Sequence, residues 1–213
     1  MIYQNISVSK TARYYLSKEI SDKIKSVWFV LHGYGQLAEE FIRNFEAISN
    51  DYTLVVAPEA LNRFYWKGFD GRIGATWMTK EDRLNEIKDY INFLDMVYIE
   101  IMKNYSDKTV KVSVLGFSQG TATACRWLVN SKVKVDKLIL WGGTIPPEIN
   151  TEVSIKILEA SNLSIVIGDK DEFIEENLVG LEIKRLNQNK LFYQLIRFDG
   201  KHEIKPEILR QFE

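Results

Sequence analysis

Short apolar runs alternate with longer amphipathic stretches along most of the chain. Most of these runs lack the strict alternation of a strand with one wet face, which predicts strands buried on both faces of a parallel sheet. The runs occupy residues 27–31, 53–57, 110–115, 137–141, 163–167 and 191–197. Apolar residues three and four positions apart predict helices over 37–49, 81–104, 172–189, after residue 118 and from about residue 205. Strands that alternate with helices indicate a mostly parallel sheet covered on both faces.

The start of the chain shows a weaker pattern. Residues 2–8 and 11–17 alternate loosely around a short polar break, which predicts an antiparallel hairpin. Further along, Thr79 precedes two acidic residues and is placed to cap the helix over 81–104. Repeats, low-complexity stretches and linkers are missing from the sequence, so we predict one α/β domain over residues 1–213.

Composition narrows the class of protein. A chain of 213 residues with 46% hydrophobic composition fits one domain with a full core. The net charge of −1 gives no electrostatic reason to expect a nucleic acid or a membrane surface as partner. A small basic patch is expected to be a solvated face, and it consists of Lys132, Lys134 and Lys137. The single cysteine, Cys125, cannot form an intrachain disulfide and is expected in the core.

Targeting signals are not evident in the sequence. The first residues lack the charged and apolar regions of a secretory signal peptide. No apolar run approaches the length of a membrane span. We therefore expect a cytoplasmic protein without a membrane span.

A glycine-bracketed serine follows one of the buried strands directly. Ser118 lies in Gly116-Phe117-Ser118-Gln119-Gly120, after the run 110–115 and before a helical stretch. A G-x-S-x-G pattern between a strand and a helix is typical of a nucleophile elbow, in which a strained turn exposes the serine hydroxyl at the sheet edge. The flanking glycines relieve the crowding of that turn. We predict Ser118 as a nucleophile; the alternative is a glycine-rich turn with an incidental serine.

The order of residues along the chain restricts the partners of this serine. A hydrolase triad on such a sheet runs from serine to acid to histidine, and His202 is the histidine that follows Ser118. The acid should lie at the end of another buried strand, where Asp169 and Asp171 are found. A short turn would bring Asp171 back toward His202, so we predict Asp171, with Asp169 as the alternative. Either aspartate could instead cap the helix that follows.

Acyl transfer also needs hydrogen-bond donors for the oxyanion that develops in the tetrahedral intermediate. One donor is the backbone N–H after the nucleophile, which here belongs to Gln119. The second comes from a glycine-bearing loop after an early strand, and Leu31-His32-Gly33-Tyr34-Gly35 is in that place. We predict Tyr34 as this donor and a structural role for His32.

Residues 59–80 are too long for a plain connection. They carry six large apolar or aromatic side chains, which are Phe64, Tyr65, Trp66, Phe69, Trp77 and Met78. Aromatic residues beside a catalytic sheet edge suggest a lid or the wall of an acyl pocket. We predict Trp66, Trp77 and Met78 as substrate-binding residues; the alternative is a loop whose aromatic side chains attach it to the body of the protein.

Four motifs together resemble the carboxylesterase, phospholipase and acyl-protein thioesterase family of small α/β-hydrolases. They are Leu31-His32-Gly33-Tyr34-Gly35, Gly116-Phe117-Ser118-Gln119-Gly120, Gly168-Asp169-Lys170-Asp171 and Gly200-Lys201-His202-Glu203. The resemblance covers nearly the whole chain. It implies an α/β-hydrolase fold without a large cap domain, no cofactor and no metal. It also implies Ser118, Asp171 and His202 as the triad, with oxyanion donors at Tyr34 and Gln119.

The implied activity is hydrolysis of a carboxylic ester through an acyl-enzyme. Tyr34 and Gln36 stand where the family often has leucine and aspartate, and we expect a small-molecule ester with a short or medium acyl chain. Lysophospholipids and thioesters remain within this range. Two alternatives stay open, an inactive hydrolase-fold binding protein and a hydrolase of another acyl bond such as a lactone or an amide. Exposed aromatic residues near the site would suit a homodimer interface as well as a substrate.

Overall fold

The computed structural model describes residues 1–106, 108–174 and 176–213. The strands are β1 (Tyr14–Leu16), β2 (Ser26–Leu31), β3 (Thr53–Pro58), β4 (Asn62–Tyr65), β5 (Ile73–Thr76), β6 (Lys111–Phe117), β7 (Lys137–Trp141), β8 (Leu163–Gly168) and β9 (Gln194–Phe198). The α-helices are α1 (Ala38–Phe41), α2 (Arg83–Met102), α3 (Gln119–Asn130), α4 (Glu152–Glu159), α5 (Glu176–Gln188) and α6 (Pro206–Leu209). Shorter 3₁₀ segments lie at Ile42–Ile48, Lys103–Tyr105 and Arg210–Phe212.

Seven strands form one sheet in the order β1-β3-β2-β6-β7-β8-β9. β1 is antiparallel to β3, and the other neighbours are parallel. The register places Leu31 opposite Gly116 and Phe117 opposite Trp141. The carboxyl ends of the six parallel strands therefore meet at one edge of the sheet. This arrangement confirms the predicted mostly parallel sheet and the α/β-hydrolase fold class.

Side chains from successive strand positions enter two cores, one on each face of the sheet. In β2, Val27, Phe29 and Leu31 belong to the core that packs under α2, α3, α4 and α5. Trp28 and Val30 belong to the other core, which includes residues of α1, the following 3₁₀ segment and α6. Burial of these apolar strands on both faces is the main force that holds the layers together. Among the described residues, no helix is both long enough and apolar enough to cross a membrane.

The predicted N-terminal hairpin is wrong. Residues 1–13 form no regular secondary structure, and β1 pairs with β3, so that Tyr14 lies opposite Pro58. The apolar side chains of the predicted first strand are not buried, since Ile2 and Ile6 are 85% and 87% exposed. Loose alternation without a buried face therefore does not produce a strand here.

Several element boundaries also differ from the prediction. The segment 37–49 forms the short α1 and a 3₁₀ segment, and β9 begins at Gln194, three residues later than predicted. Thr79 does not cap α2, because that helix begins at Arg83 after Asp82. The predicted helix over 172–189 corresponds to α5, and residue 175 lies outside the described residues. α4 was not predicted.

The connection from β6 to α3 is the tightest in the sheet, because Ser118 alone joins them. Ser118 has φ 54° and ψ −116°, a backbone conformation that costs a non-glycine residue about 1–3 kcal/mol. The flanking glycines are needed for space. A Cβ atom on Gly116 would lie 2.3 Å from the Gly120 carbonyl oxygen, and one on Gly120 would lie 2.1 Å from the Leu31 carbonyl oxygen. The backbone of α3 therefore rests directly on β2 and β6.

We expect Gly120→Ala to lower the free energy of unfolding by about 1–3 kcal/mol, since the added methyl must displace backbone. Gly180→Ala is the matched control, because Gly180 lies exposed in α5 and a Cβ there would meet nothing within 4 Å. That substitution should raise stability by up to about 1 kcal/mol. Urea unfolding of both variants measures the two effects, and equal stability of the two would contradict the packing described for α3.

Candidate active site

Ser118 lies at the carboxyl edge of the sheet, where the predicted elbow is found. It is half-buried, and its N–H donates to the Trp141 carbonyl at 2.8 Å. The Thr121 hydroxyl and N–H both donate to the Ser118 carbonyl, at 2.7 and 3.0 Å. These hydrogen bonds hold the strained turn and leave the serine hydroxyl at the end of β6.

An aspartate and a histidine form a close pair at the same edge. Nδ1 of His202 lies 2.7 Å from Oδ2 of Asp171, whose side chain is 1% exposed. The other carboxylate oxygen of Asp171 accepts the Phe173 N–H at 2.9 Å. Asp169 is directed elsewhere, since its Oδ1 pairs with the Arg197 guanidinium at 2.7 Å. Of the two candidate acids, Asp171 is thus the one beside His202.

The loop after β9 brings His202 back across the ends of β8 and β7. The Lys170 N–H donates to the Gly200 carbonyl at 2.9 Å, and the Trp141 indole N–H donates to the Glu203 carbonyl at 2.8 Å. The imidazole packs between two rings, with centroids 4.7 Å from Phe117 and 4.9 Å from Phe173. Phe117 immediately precedes Ser118, so the histidine and the serine lie at neighbouring positions of the sheet edge.

The loop after β2 contains Tyr34, the residue predicted as the second oxyanion donor. The Gly33 N–H donates to Oε1 of Gln36 at 2.8 Å, which closes the loop around Tyr34. Across residues 1–106, 108–174 and 176–213, neither the N–H of Tyr34 nor that of Gln119 has a hydrogen-bond acceptor. Both groups lie at the edge that holds Ser118, and both remain able to donate to a bound oxygen.

His32 makes the structural hydrogen bonds predicted for it. Its Nδ1 lies 2.8 Å from the Gly33 carbonyl, and its Nε2 accepts the Ala60 N–H at 3.0 Å. This pattern requires a neutral ring with the proton on Nδ1. Burial lowers the pKa of His32 to about 4, because the charged form would lose its solvation.

Beside His32 lies a buried carboxylate that the sequence pattern did not reveal. Glu59 has a fully buried side chain and pairs with Arg13 at 2.8 Å and with Arg63 at 2.7 Å. Burial opposes its charge, but the hydrogen bonds from the two arginines outweigh that cost and lower the pKa of Glu59. Its second oxygen accepts the Ala38 N–H at 3.3 Å. Glu59 thus joins the N-terminal segment, α1 and the chain after β3 under the candidate site.

The segment 59–80 contains an antiparallel hairpin, in which β4 pairs with β5. The three residues predicted to bind substrate lie in this segment, just outside the two strands, and their surroundings differ. Trp66 is 47% exposed and packs edge-on against the Tyr34 ring at 5.8 Å. Met78 is half-buried, with its sulfur 3.7 Å from a guanidinium nitrogen of Arg126.

Trp77 does not fit the prediction of a substrate-contacting residue. It is 1% exposed, and its indole N–H donates to the His32 carbonyl at 2.8 Å. The ring lies among core residues because this hydrogen bond and the packing on His32 hold it beneath the loop after β2. Its side chain supports the site from below.

Groups that could bind a metal ion or act as a thiol nucleophile are the other candidates for chemistry. Within the part of the chain that the structure describes, no group of three or more His, Cys, Asp or Glu side chains is placed to hold a metal ion. Cys125 is fully buried in α3, and burial raises the pKa of its thiol. The thiol is therefore inert, as expected for a core cysteine.

Comparison with solved structures supports the fold described above. Esterase PE8 is 20% identical, with a TM-score of 0.66 over 96% of this chain and 100% of that chain. Acyl-protein thioesterase 2 from Zea mays is 14% identical, with a TM-score of 0.70 over 95% of this chain and 96% of that chain. A phospholipase/carboxylesterase from Dyadobacter fermentans DSM 18053 is 17% identical, with a TM-score of 0.63 over 97% of both chains.

At these identities the likeness shows a shared fold, that of the small α/β-hydrolases. The sequence matches no family model, and no curated protein matches it. The resemblance predicted from the four motifs is thus confirmed for the fold of the chain. The chemistry has to be argued from the residues at the sheet edge.

The buried neutral state of His32 predicts a pH dependence of stability. Below pH 6.5 His32 takes up a proton in the unfolded chain, whereas in the folded protein it remains neutral down to about pH 4. Stability from this group is therefore complete above pH 6.5 and falls by about 3 kcal/mol as the pH drops toward 4. Urea unfolding between pH 7.5 and 4.5 measures the effect.

Two variants assign this dependence to one histidine. His202→Ala removes the other histidine of the chain and should keep the pH dependence. His32→Asn should be less stable at pH 7.5 and should show a flatter profile above pH 5. A His32→Asn profile as steep as that of the wild-type protein would contradict a neutral buried His32.

Proposed function

We propose that this protein is a serine hydrolase of carboxylic esters that acts through a Ser118-His202-Asp171 triad. The observation that carries the proposal is the 2.7 Å contact between Asp171 and His202 at the sheet edge that holds Ser118 in a strained turn. A buried carboxylate that accepts from Nδ1 fixes the tautomer of the imidazole, so that Nε2 can take a proton. Each residue type that the chemistry requires is present at this edge.

The reaction proceeds in two halves. His202 takes the hydroxyl proton as the Ser118 oxygen attacks the ester carbonyl, and the N–H groups of Tyr34 and Gln119 stabilise the oxyanion. Collapse of the intermediate breaks the ester bond, and His202 gives its proton to the leaving alcohol or thiol. Water then attacks the acyl-enzyme by the same route, which releases the acid and restores the serine.

The solved structures of similar fold support an ester or thioester as substrate. They include an esterase, an acyl-protein thioesterase and a phospholipase/carboxylesterase. The exposed rings of Tyr34 and Trp66 beside the oxyanion loop favour an apolar acyl or alkyl group. A short or medium acyl chain on a small molecule is our proposed substrate class, in a cytoplasmic enzyme without a cofactor.

Turnover of p-nitrophenyl esters of increasing acyl length tests this proposal. Ser118→Ala should lower kcat by several orders of magnitude, and Asp171→Asn should lower it by roughly two to four orders of magnitude, because the isosteric amide leaves the imidazole in the wrong tautomer. Asp169→Asn is the matched control two residues away. It removes a half-exposed ion pair with Arg197 and should leave kcat within about twofold of the wild-type value.

Other outcomes would lead to other conclusions. Full turnover by Ser118→Ala would contradict the proposed nucleophile. Equal losses in Asp169→Asn and Asp171→Asn would contradict the assigned acid. A wild-type protein that cleaves only amides or lactones would have the proposed machinery but a different substrate. A wild-type protein that cleaves none of these bonds would support the inactive binding protein.

A further inference from the structure

We propose that the side chain of Gln119 is a positioning residue that sets the two oxyanion donors relative to each other by joining them through β5. The inference rests on the proposed function and adds a role for a side chain whose backbone N–H is one of the donors. It also assigns a structural role to the segment 59–80, which contains β5 but no residue of the proposed triad.

Gln119 uses both ends of its amide on one short stretch of chain. Its Nε2 donates to the Thr76 hydroxyl oxygen at 2.9 Å and to the Met78 carbonyl at 3.0 Å. Its Oε1 accepts the Trp77 N–H at 3.1 Å and lies 3.2 Å from the Thr76 hydroxyl. Thr76 and Trp77 are almost fully buried, so these hydrogen bonds are shielded from water. The first residue of α3 is thereby fixed to the carboxyl end of β5.

The other donor loop is fixed to the same strand by backbone contacts. The Gly35 N–H donates to the Ala75 carbonyl at 2.8 Å, and the Ala75 N–H donates to the Gln36 carbonyl at 3.3 Å. Gly74 permits this approach, because a Cβ there would lie 2.7 Å from the Gly35 carbonyl oxygen. Tyr34 is therefore held by its chain neighbours against β5.

The strand pairing of the main sheet ends before the two donors. β2 and β6 are paired as far as Leu31 and Gly116, but Tyr34 and Gln119 both lie three residues further along their chains. A shift of a few tenths of an ångström in either N–H would weaken the stabilisation of the oxyanion, which depends on preorganised geometry. Beyond the direct contact of α3 with the end of β2, both donor segments also contact β5, and Gln119 is the side chain that completes this second connection.

The experiment compares Gln119→Met and Thr76→Val with the wild-type enzyme. Methionine keeps the length of the side chain and the backbone N–H of residue 119, but it loses the amide hydrogen bonds. Valine at position 76 replaces the hydroxyl that Gln119 contacts with a methyl group, and the same hydroxyl also donates to the Met78 carbonyl at 3.0 Å. Gln194→Met is the matched control, because Gln194 is exposed on β9 and lies outside the catalytic machinery. The readouts are kcat and KM for a p-nitrophenyl ester and the affinity for a trifluoromethyl ketone that forms a tetrahedral adduct with serine.

We expect Gln119→Met to lower kcat roughly 10- to 100-fold with KM within about threefold of the wild-type value, and to weaken ketone binding by a similar factor. Thr76→Val should show a smaller loss of the same kind. The double variant should lose less than the product of the two single losses, because both substitutions break one shared set of contacts. Gln194→Met should match the wild-type enzyme.

A kcat for Gln119→Met within about twofold of the wild-type value would overturn the inference and leave the proposed function intact. A lower kcat with unchanged ketone affinity would also overturn it, because the loss would then not lie in oxyanion stabilisation. If Gln119→Met fails to fold, Thr76→Val and its ketone affinity decide the question by the same criteria. A wild-type protein without turnover and without ketone binding would instead contradict the proposed function.

Discussion

The turn at Ser118 is the constraint on which the candidate site depends. With one residue between β6 and α3, the chain turns at Ser118 through a strained conformation with positive φ, and the helix begins directly at the sheet edge. The strain of about 1–3 kcal/mol is tolerated because the turn is hydrogen-bonded to Trp141 and Thr121 and because the flanking glycines let the backbones touch. The same turn exposes the serine and directs the first N–H groups of α3 toward the place where a substrate carbonyl would lie. The proposed nucleophile and one proposed oxyanion donor thus arise from one local conformation.

The hairpin of β4 and β5 occupies the position where a lid would be expected, but its carboxyl end is firmly attached. Ala75 and Trp77 contact the loop after β2, and the Gln119 amide holds the residues that follow β5. Below them, the neutral ring of His32 and the ionised carboxylate of Glu59 satisfy backbone groups that water cannot reach. Burial disfavours the charged form of both residues. Glu59 stays ionised because two arginines pair with it, whereas His32 stays neutral because its hydrogen-bond partners are neutral backbone groups. The hairpin and the buried polar groups therefore stabilise one arrangement of the loop after β2.

The sequence was sufficient for the sheet and for the triad candidates, because parallel strands carry the residues after their carboxyl ends to a common edge. Ser118 and His202 could be placed there from the strand positions together with the G-x-S-x-G motif and the order of triad residues along the chain. Features that depend on distant partners could not be predicted. The ion pair with Arg13, which favours the ionised form of Glu59, joins residues far apart in sequence. Trp77 was predicted to contact substrate, but tertiary packing buries it. The alternation over residues 2–8 was misleading, because its apolar side chains Ile2, Ile6 and Val8 remain exposed.

Reaction with a fluorophosphonate tests the central claim of an activated serine most directly. The phosphonate forms a bond to a serine oxygen only when a base removes the proton and donors stabilise the developing charge. Peptide-level mass spectrometry should find a single adduct, on Ser118, in the folded protein and none after heat unfolding. No adduct on Ser118 in the folded protein, or labelling that persists in the unfolded chain, would contradict an assembled triad at this sheet edge.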